Sequence, residues 1–312
     1  MTSQAIDVLL RAASRAGASV LLSPSRVAVF GGALSTEAAA TAGLPPLSQR
    51  DAFIRWVKTH RKDLSQELLV PEVYDDWSEF NTYSDLLRFE EDLGYVTSVV
   101  VIFLEAPGSI AELGAFSQIS TLNQQLVLVV FERYHPNKSF ISLGPLRQLE
   151  SEGRSSVCVV PERPIAEFAE DIDVILKPID EKIKAAKVGR AVRGDDRQHQ
   201  VILALDTITL LEVATFSEVK AALGHFSDPV ADARVRQILY TLSKANLAAS
   251  RRYGGIDYYY PISRGVSWVN YSGPDASKPF NRLRIAAKLA ASRAESRSVK
   301  NAHALIFGAS SK

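Results

Sequence analysis

An uninterrupted apolar run, Val99-Val-Val-Ile-Phe-Leu104, leads directly into Glu105-Ala-Pro-Gly-Ser-Ile-Ala-Glu-Leu-Gly-Ala-Phe116. This join constrains the fold more than any other stretch of the chain. The run is too short to span a bilayer and is closed by turn chemistry, which suits a central strand of a parallel sheet covered on both faces. Pro107, Gly108 and Ser109 then open a helix, so Glu112 is expected in its first turn, at the carboxyl end of a strand where such sheets collect ligands. Gly108 permits close backbone approach, and the free N–H groups of a first helical turn suit a phosphate or a sugar. Ser109 and Glu112 also have the spacing of a capping box, which would occupy the carboxylate without any chemistry. The two readings are compatible, because a helix start keeps a nearby carboxylate ionised and ready to act as a nucleophile.

The segments around this join alternate between strand and helix. Arg26-Val-Ala-Val-Phe-Gly-Gly32 reads as a first strand ending in a glycine turn, followed by a helix over about 49–64 and a strand at Leu68-Leu-Val-Pro-Glu72. A helix over 84–93 leads to the strand 96–104. Further strands are expected at 125–131 and 157–161, with helices beginning near 110 and 143. The fold class is therefore α/β, with a doubly wound parallel five-stranded sheet. Gly31 and Gly32 do not complete a G-x-G-x-x-G dinucleotide fingerprint.

A helix over 3–16 opens the chain, and a polar helix over about 165–188 closes the first domain, taken as 1–188. The charged run 189–199 reads as a linker, and 200–312 as a second, smaller domain. Helices near 201–213, 216–224 and 229–246 precede two extended arms around Gly254-Gly255, the strongest hairpin signal present. Three helices and a hairpin suggest a winged helix. Arg251 and Arg252 lie on its wing, and the tail helix near 279–293 carries Arg282, Arg284, Lys288, Arg293 and Arg297 with few opposing acids. These cations suit phosphate contact, or a solvated helix face. Tyr258, Tyr259 and Tyr260 are read as packing residues.

With 312 residues, a net charge of +1 and one cysteine, the chain has no global nucleic-acid signature and no disulfide framework. Five scattered histidines show no metal-ligand spacing, so no metal is expected. The opening residues lack signal-peptide features, and no run is long enough for a membrane span. A cytoplasmic location is expected.

The 105–116 run, followed by Lys138-Ser-Phe-Ile-Ser-Leu-Gly-Pro-Leu-Arg147, resembles the effector proteins of bacterial retrons. The likeness extends to Val70-Pro-Glu72 and Phe280-Asn-Arg-Leu-Arg284. Effectors of this kind join a nucleoside deoxyribosyltransferase-like domain to a winged helix. The wider superfamily carries a Glu-Leu-Gly signature whose glutamate attacks the anomeric carbon, and Glu112 occupies that place.

The resemblance implies cleavage of an N-glycosidic bond in a nucleotide, with NAD as substrate rather than cofactor, giving nicotinamide and ADP-ribose. It also implies partnership with a retron reverse transcriptase and its msDNA, an RNA–DNA hybrid, in a higher-order assembly. Glu105 and Glu72, at strand ends, are expected to reach the same crevice, or to serve as a turn residue and a cap. Gly31, Gly32, Pro107, Gly108 and Ser109 are expected to contact phosphate or ribose. Asp75 and Asp76 read as helix-start acids, and Arg147 as a brace. The alternative function is a non-catalytic nucleotide sensor controlling a winged-helix nucleic-acid binder.

Overall fold

A computed structural model describes residues 3–74, 82–132, 142–152, 156–186, 189–275 and 277–308. Asp75, Asp76 and residues 138–141 of the second motif lie outside them. The elements, in chain order, are α1 (Gln4–Ala12), β1 (Ser14–Val20), β2 (Arg26–Phe30), α2 (Glu37–Thr41), α3 (Gln49–His60), α4 (Lys62–Ser65), β3 (Leu68–Leu69), α5 (Leu86–Tyr95), β4 (Thr97–Phe103), α6 (Pro107–Ser117), α7 (Ser120–Asn123), β5 (Leu126–Phe131), α8 (Arg147–Glu152) and β6 (Ser156–Val160). They continue with α9 (Ile172–Ala185), β7 (Arg190–Ala191), α10 (Arg197–Leu211), β8 (Ala214–Thr215), α11 (Phe216–Phe226), α12 (Asp232–Lys244), β9 (Ala248–Tyr253), β10 (Ile256–Pro261), β11 (Val269–Ser272), α13 (Arg282–Glu295) and α14 (Arg297–Phe307).

The chain divides into two compact units. One comprises residues 24–76 and 85–186, the other 1–23, 77–84 and 187–312. The boundaries expected at 188 and 200 are thus redrawn, with the amino-terminal segment joining the second unit. The reason is pairing: β1 lies between β11 and β7, antiparallel to both. The helix expected over 3–16 stops at Ala12, and Gly17 adopts φ +77° where a Cβ would meet the Ser272 hydroxyl at 2.7 Å. The run 189–199 is likewise tied down as β7 and as the cap of α10, where Asp196 accepts from the backbone of Gln198 and His199.

The first unit holds a five-stranded parallel sheet of order β3-β2-β4-β5-β6, with all strands where the apolar runs place them. Every residue of β4 and β5 is buried, as a central strand covered on both faces requires. Val27, Val29, Val99, Val101, Val127 and Val129 pack on α3 and α9 on one face. On the other face Phe30 meets Phe116 of α6 edge to face, with centroids 5.2 Å apart. The helix expected over 165–188 is a 3-10 segment, Ile165–Asp171, followed by α9. Strand order reverses at β2 and β4, so the crevice of this sheet lies at their carboxyl ends.

In the second unit α10 is buried along almost its whole length, the mark of a central helix. A second antiparallel sheet has the order β8-β10-β9, and its β9–β10 hairpin turns on Gly254 and Gly255, both with positive φ. Tyr258 is fully buried, with its hydroxyl 2.6 Å from Ser298. No helix among the described residues is long and apolar enough to cross a membrane.

Candidate active site

The helix that carries Glu112 begins one turn earlier than the sequence suggests. Ala106 is its extended N-cap and Pro107 its first residue, a position where proline's missing N–H costs nothing. Ser109 is fully buried, accepts from the Ala106 N–H at 3.2 Å and donates to the Ala106 carbonyl at 2.8 Å. The expected Ser109–Glu112 capping box is therefore not formed, and Ser109 is not open to a ligand. Glu112 is left unencumbered in the second turn, half-buried, with Oε2 sealed from solvent and accepting from no described residue.

Glu112 shares its surroundings with three charged groups from three other segments. Arg50 of α3, 1 % exposed, grips Glu72 with two 2.6 Å bonds. The same guanidinium donates to the carbonyls of Val29 and Gly32. Glu72 lies in the single 3-10 turn after β3 and is partly exposed. Glu90 of α5 is 5 % exposed.

Burial, followed by the negative charge of Glu72, pushes Glu112 up to about 7, with Arg50 opposing the rise. Burial, then Glu112 and Glu72, pushes Glu90 up to about 8. Near neutral pH the group therefore holds a largely protonated Glu90 and a Glu112 divided between its two states.

Neither Arg50 nor Glu90 stands out as a motif. Each nevertheless sits on an apolar helical stripe, Arg50 with Phe53, Ile54 and Val57, and Glu90 with Leu86, Phe89 and Leu93. A charge on such a stripe is the signal that could have revealed them.

Glu105, expected in the same crevice, is committed elsewhere. Its Oε1 accepts from Gly32 N–H and Arg50 N–H, and its Oε2 from Gln49 N–H, all between 2.9 and 3.0 Å. Together with the N-cap Ser48, whose hydroxyl accepts from Asp51 N–H, it caps the start of α3. Gly32 is needed for this packing, because a Cβ there would meet Ser48 and Glu105 at 2.8 and 2.9 Å. Gly31 adopts φ +152°, and a Cβ would meet Phe103 at 2.8 Å. Both glycines are thus explained by the fold itself. Pro107 and Gly108 are exposed, and a Cβ on Gly108 would meet nothing within 4 Å.

The basic residues of the second unit divide in two. Arg282 braces the core, donating to both oxygens of the fully buried Asp206 at 2.9 and 3.1 Å and to the carbonyls of Val266 and Val269. Arg293 is buried against Glu218 at 3.1 Å. Arg282 is therefore withdrawn from the expected phosphate-contact set, and the tail helix is less open than its composition suggests. Arg251, Arg252, Arg284, Lys288 and Arg297 are exposed. Arg147 is exposed at the start of α8. Among the described residues no group of three His, Cys, Asp or Glu could hold a metal ion.

A family model described as the STM3845 retron effector protein matches residues 46–250, which include the whole carboxylate group. The chain is also similar to the candidate ribosyltransferase/DNA-binding protein of Escherichia coli retron Ec86, with 32 % identity over 113 residues, 36 % of this chain and 37 % of that one. The corresponding protein of E. coli retron Ec73 is 32 % identical over 90 residues, 29 % of this chain and 28 % of that one. The matches thus span roughly a third of the relatives' length.

Proposed function

The chain belongs to the STM3845 retron effector family, and from that membership we propose that its α/β unit cleaves the N-glycosidic bond of a nucleotide, NAD foremost, with Glu112 as nucleophile. The observation that carries the reading is the Glu112 carboxylate: half-buried after the central strand, one oxygen with no donor among the described residues, and beside the Arg50–Glu72 pair and Glu90. A carboxylate with a raised pKa is a stronger nucleophile once ionised, and a cationic nicotinamide ring entering the site favours that ionised form.

In the proposed reaction a Glu112 oxygen bonds to the ribose C1′ as the C1′–N bond breaks. The electron pair passes to the pyridinium nitrogen, and nicotinamide leaves neutral without an acid. Water then attacks C1′ of the ribosyl ester, restoring the carboxylate and releasing ADP-ribose. The proton leaves through Glu72, the partly exposed member of the group. Glu90, protonated near neutral pH, is suited to hydrogen-bond a sugar hydroxyl or the departing base. Pro107 and Gly108, exposed at the start of α6, are the proposed contacts for the nucleotide backbone.

The second unit is read as a winged helix, with α10, α11 and α12 against the β8-β10-β9 sheet and the β9–β10 hairpin as wing. Exposed Arg251, Arg252, Arg284 and Lys288 suit the phosphates of msDNA carried by a retron reverse transcriptase in a larger assembly. The relatives' names pair ribosyl transfer with DNA binding, which supports both halves of this reading.

The test incubates the full chain with NAD, with and without the reverse transcriptase and msDNA, and follows free nicotinamide by chromatography. Wild type is expected to release it, and Glu112→Gln to lose about 10³-fold or more of that rate with its fold intact. Tight NAD binding with no release by either protein would overturn the reading in favour of a sensor.

A further inference from the structure

The chain passes from the second unit into the parallel-sheet unit between Ser84 and Asp85. Just before this crossing Tyr83 is buried, 3 % exposed, against α12. Its hydroxyl lies 2.7 Å from Thr241 Oγ1 and donates to the Gln237 carbonyl at 3.3 Å, and its ring meets Tyr240 edge to face with centroids 6.0 Å apart. Gln237 Nε2 also donates to the Thr82 carbonyl at 3.1 Å. Positions 237, 240 and 241 are neighbours on the surface of a helix. The stripe Val235, Ile238, Leu239 and Leu242 is buried in the second unit, so α12 is a fixed post.

A short bridge leads from Tyr83 to Glu90. Residues 84–88 are exposed, Leu86 and Leu87 included. Asp85 accepts from Arg88 N–H at 2.9 Å and so starts α5, and burial resumes at Phe89 and Glu90. The far end of α5 is set by packing, since a Cβ on Gly94 would meet Leu122 at 2.9 Å. The near end has no buried residue from Asp85 to Arg88, which makes Tyr83 the buried anchor next upstream of Glu90. Because α5 is one hydrogen-bonded helix, a shift of its first turn is carried to Glu90 in its second.

We propose that Tyr83 is a positioning residue for the site around Glu112: its seat on α12 fixes the amino end of α5 and thereby the place of Glu90 beside Glu112. The proposal deepens the nucleotide-cleavage reading, and it rests on that reading only for the chemistry that Glu90 assists. Burial holds the Glu90 carboxyl at about 8, so a loosened α5, which lets water reach the carboxyl, brings that value down.

The experiment is an NMR pH titration of the full chain, isotope-labelled at the glutamate carboxyl carbons, with the Glu90 signal identified by its loss in Glu90→Gln. Tyr83→Phe combined with Gln237→Ala keeps the ring on Tyr240 but removes the hydroxyl and the amide of the seat. This pair should lower the Glu90 midpoint by about one pH unit, a tenfold loss of proton affinity. Tyr258→Phe, which removes a hydroxyl bond to Ser298 elsewhere in the second unit, should leave the midpoint in place. An unchanged midpoint in the Tyr83 and Gln237 variant, or an equal drop in Tyr258→Phe, would overturn the proposal. Nicotinamide release from NAD separates the two readings. The paired substitution should lower kcat about tenfold in the wild-type background and not at all when Glu90 is already Gln. A midpoint that moves in a chain releasing no nicotinamide rejects cleavage and keeps the positioning role, whereas release with an unmoved midpoint rejects the positioning role alone.

Discussion

Arg50 and Glu90, two charges set on apolar helical faces, govern the electrostatics around Glu112. With Glu112 titrating near 7, kcat/KM for nicotinamide release should rise with pH through about 7 and level off above it. Arg50 holds that value down, so Arg50→Met should move the rise to higher pH, alongside the folding cost of leaving Glu72 unpaired. Glu90 makes an opposite kind of prediction, one about stability. Its folded value lies above its ordinary 4.5, so the folded state binds the extra proton, and unfolding free energy falls as pH rises from about 4.5 to about 8. Glu90→Gln should remove this loss, gaining on the order of 2–4 kcal/mol over wild type at pH 8.5 and little at pH 4.5, as read from urea denaturation at both pH values. Glu112 was legible in the sequence because a strand, a turn and a helix follow one another within a few residues. Arg50 and Glu90 were not, because their partners come from distant segments.

At the scale of the element, the start of α3 depends on Glu105, a residue 55 positions away from Arg50 in sequence. Glu105→Ala removes the acceptor of three backbone N–H groups and should cost about 2–3 kcal/mol, read as a lower denaturation midpoint. Glu105→Gln, which keeps one carbonyl oxygen, should cost less. Were Glu105 a reacting group instead, the two variants would be equally inactive at equal stability. The five strands of the parallel sheet were legible because a fully buried strand must be apolar throughout. Strand β1 was not, since Ser14-Arg-Ala-Gly-Ala-Ser-Val20 has neither alternation nor an apolar run. Its pairing with Ser272, Asn270 and Val269 is what makes it a strand. The same limit applies to Arg282, whose place in a basic segment suggested a phosphate contact, whereas buried Asp206 accepts from both its terminal nitrogens.

Across the whole molecule, the chain's first 23 residues belong with its last 126. Deleting residues 1–23 removes the central strand of the β11-β1-β7 sheet and exposes the faces that Ile6 and Leu9 cover. Limited proteolysis of that variant should digest residues 187–312 while sparing the parallel-sheet unit, and equal resistance in both halves would contradict the division described. By itself the sequence determined the parallel sheet, the hairpin at Gly254-Gly255 and the presence of Glu112 on the helix after the central strand, though one turn further into that helix than expected, because each is written in residues close together along the chain. Only the tertiary structure decided the division into units, the capping role of Glu105, the withdrawal of Arg282 and Arg293 from the surface, and the company of Glu112. Those depend on which buried charges meet across long sequence separations, where the cost of leaving a charge unpaired selects the partner and local pattern carries no record of it.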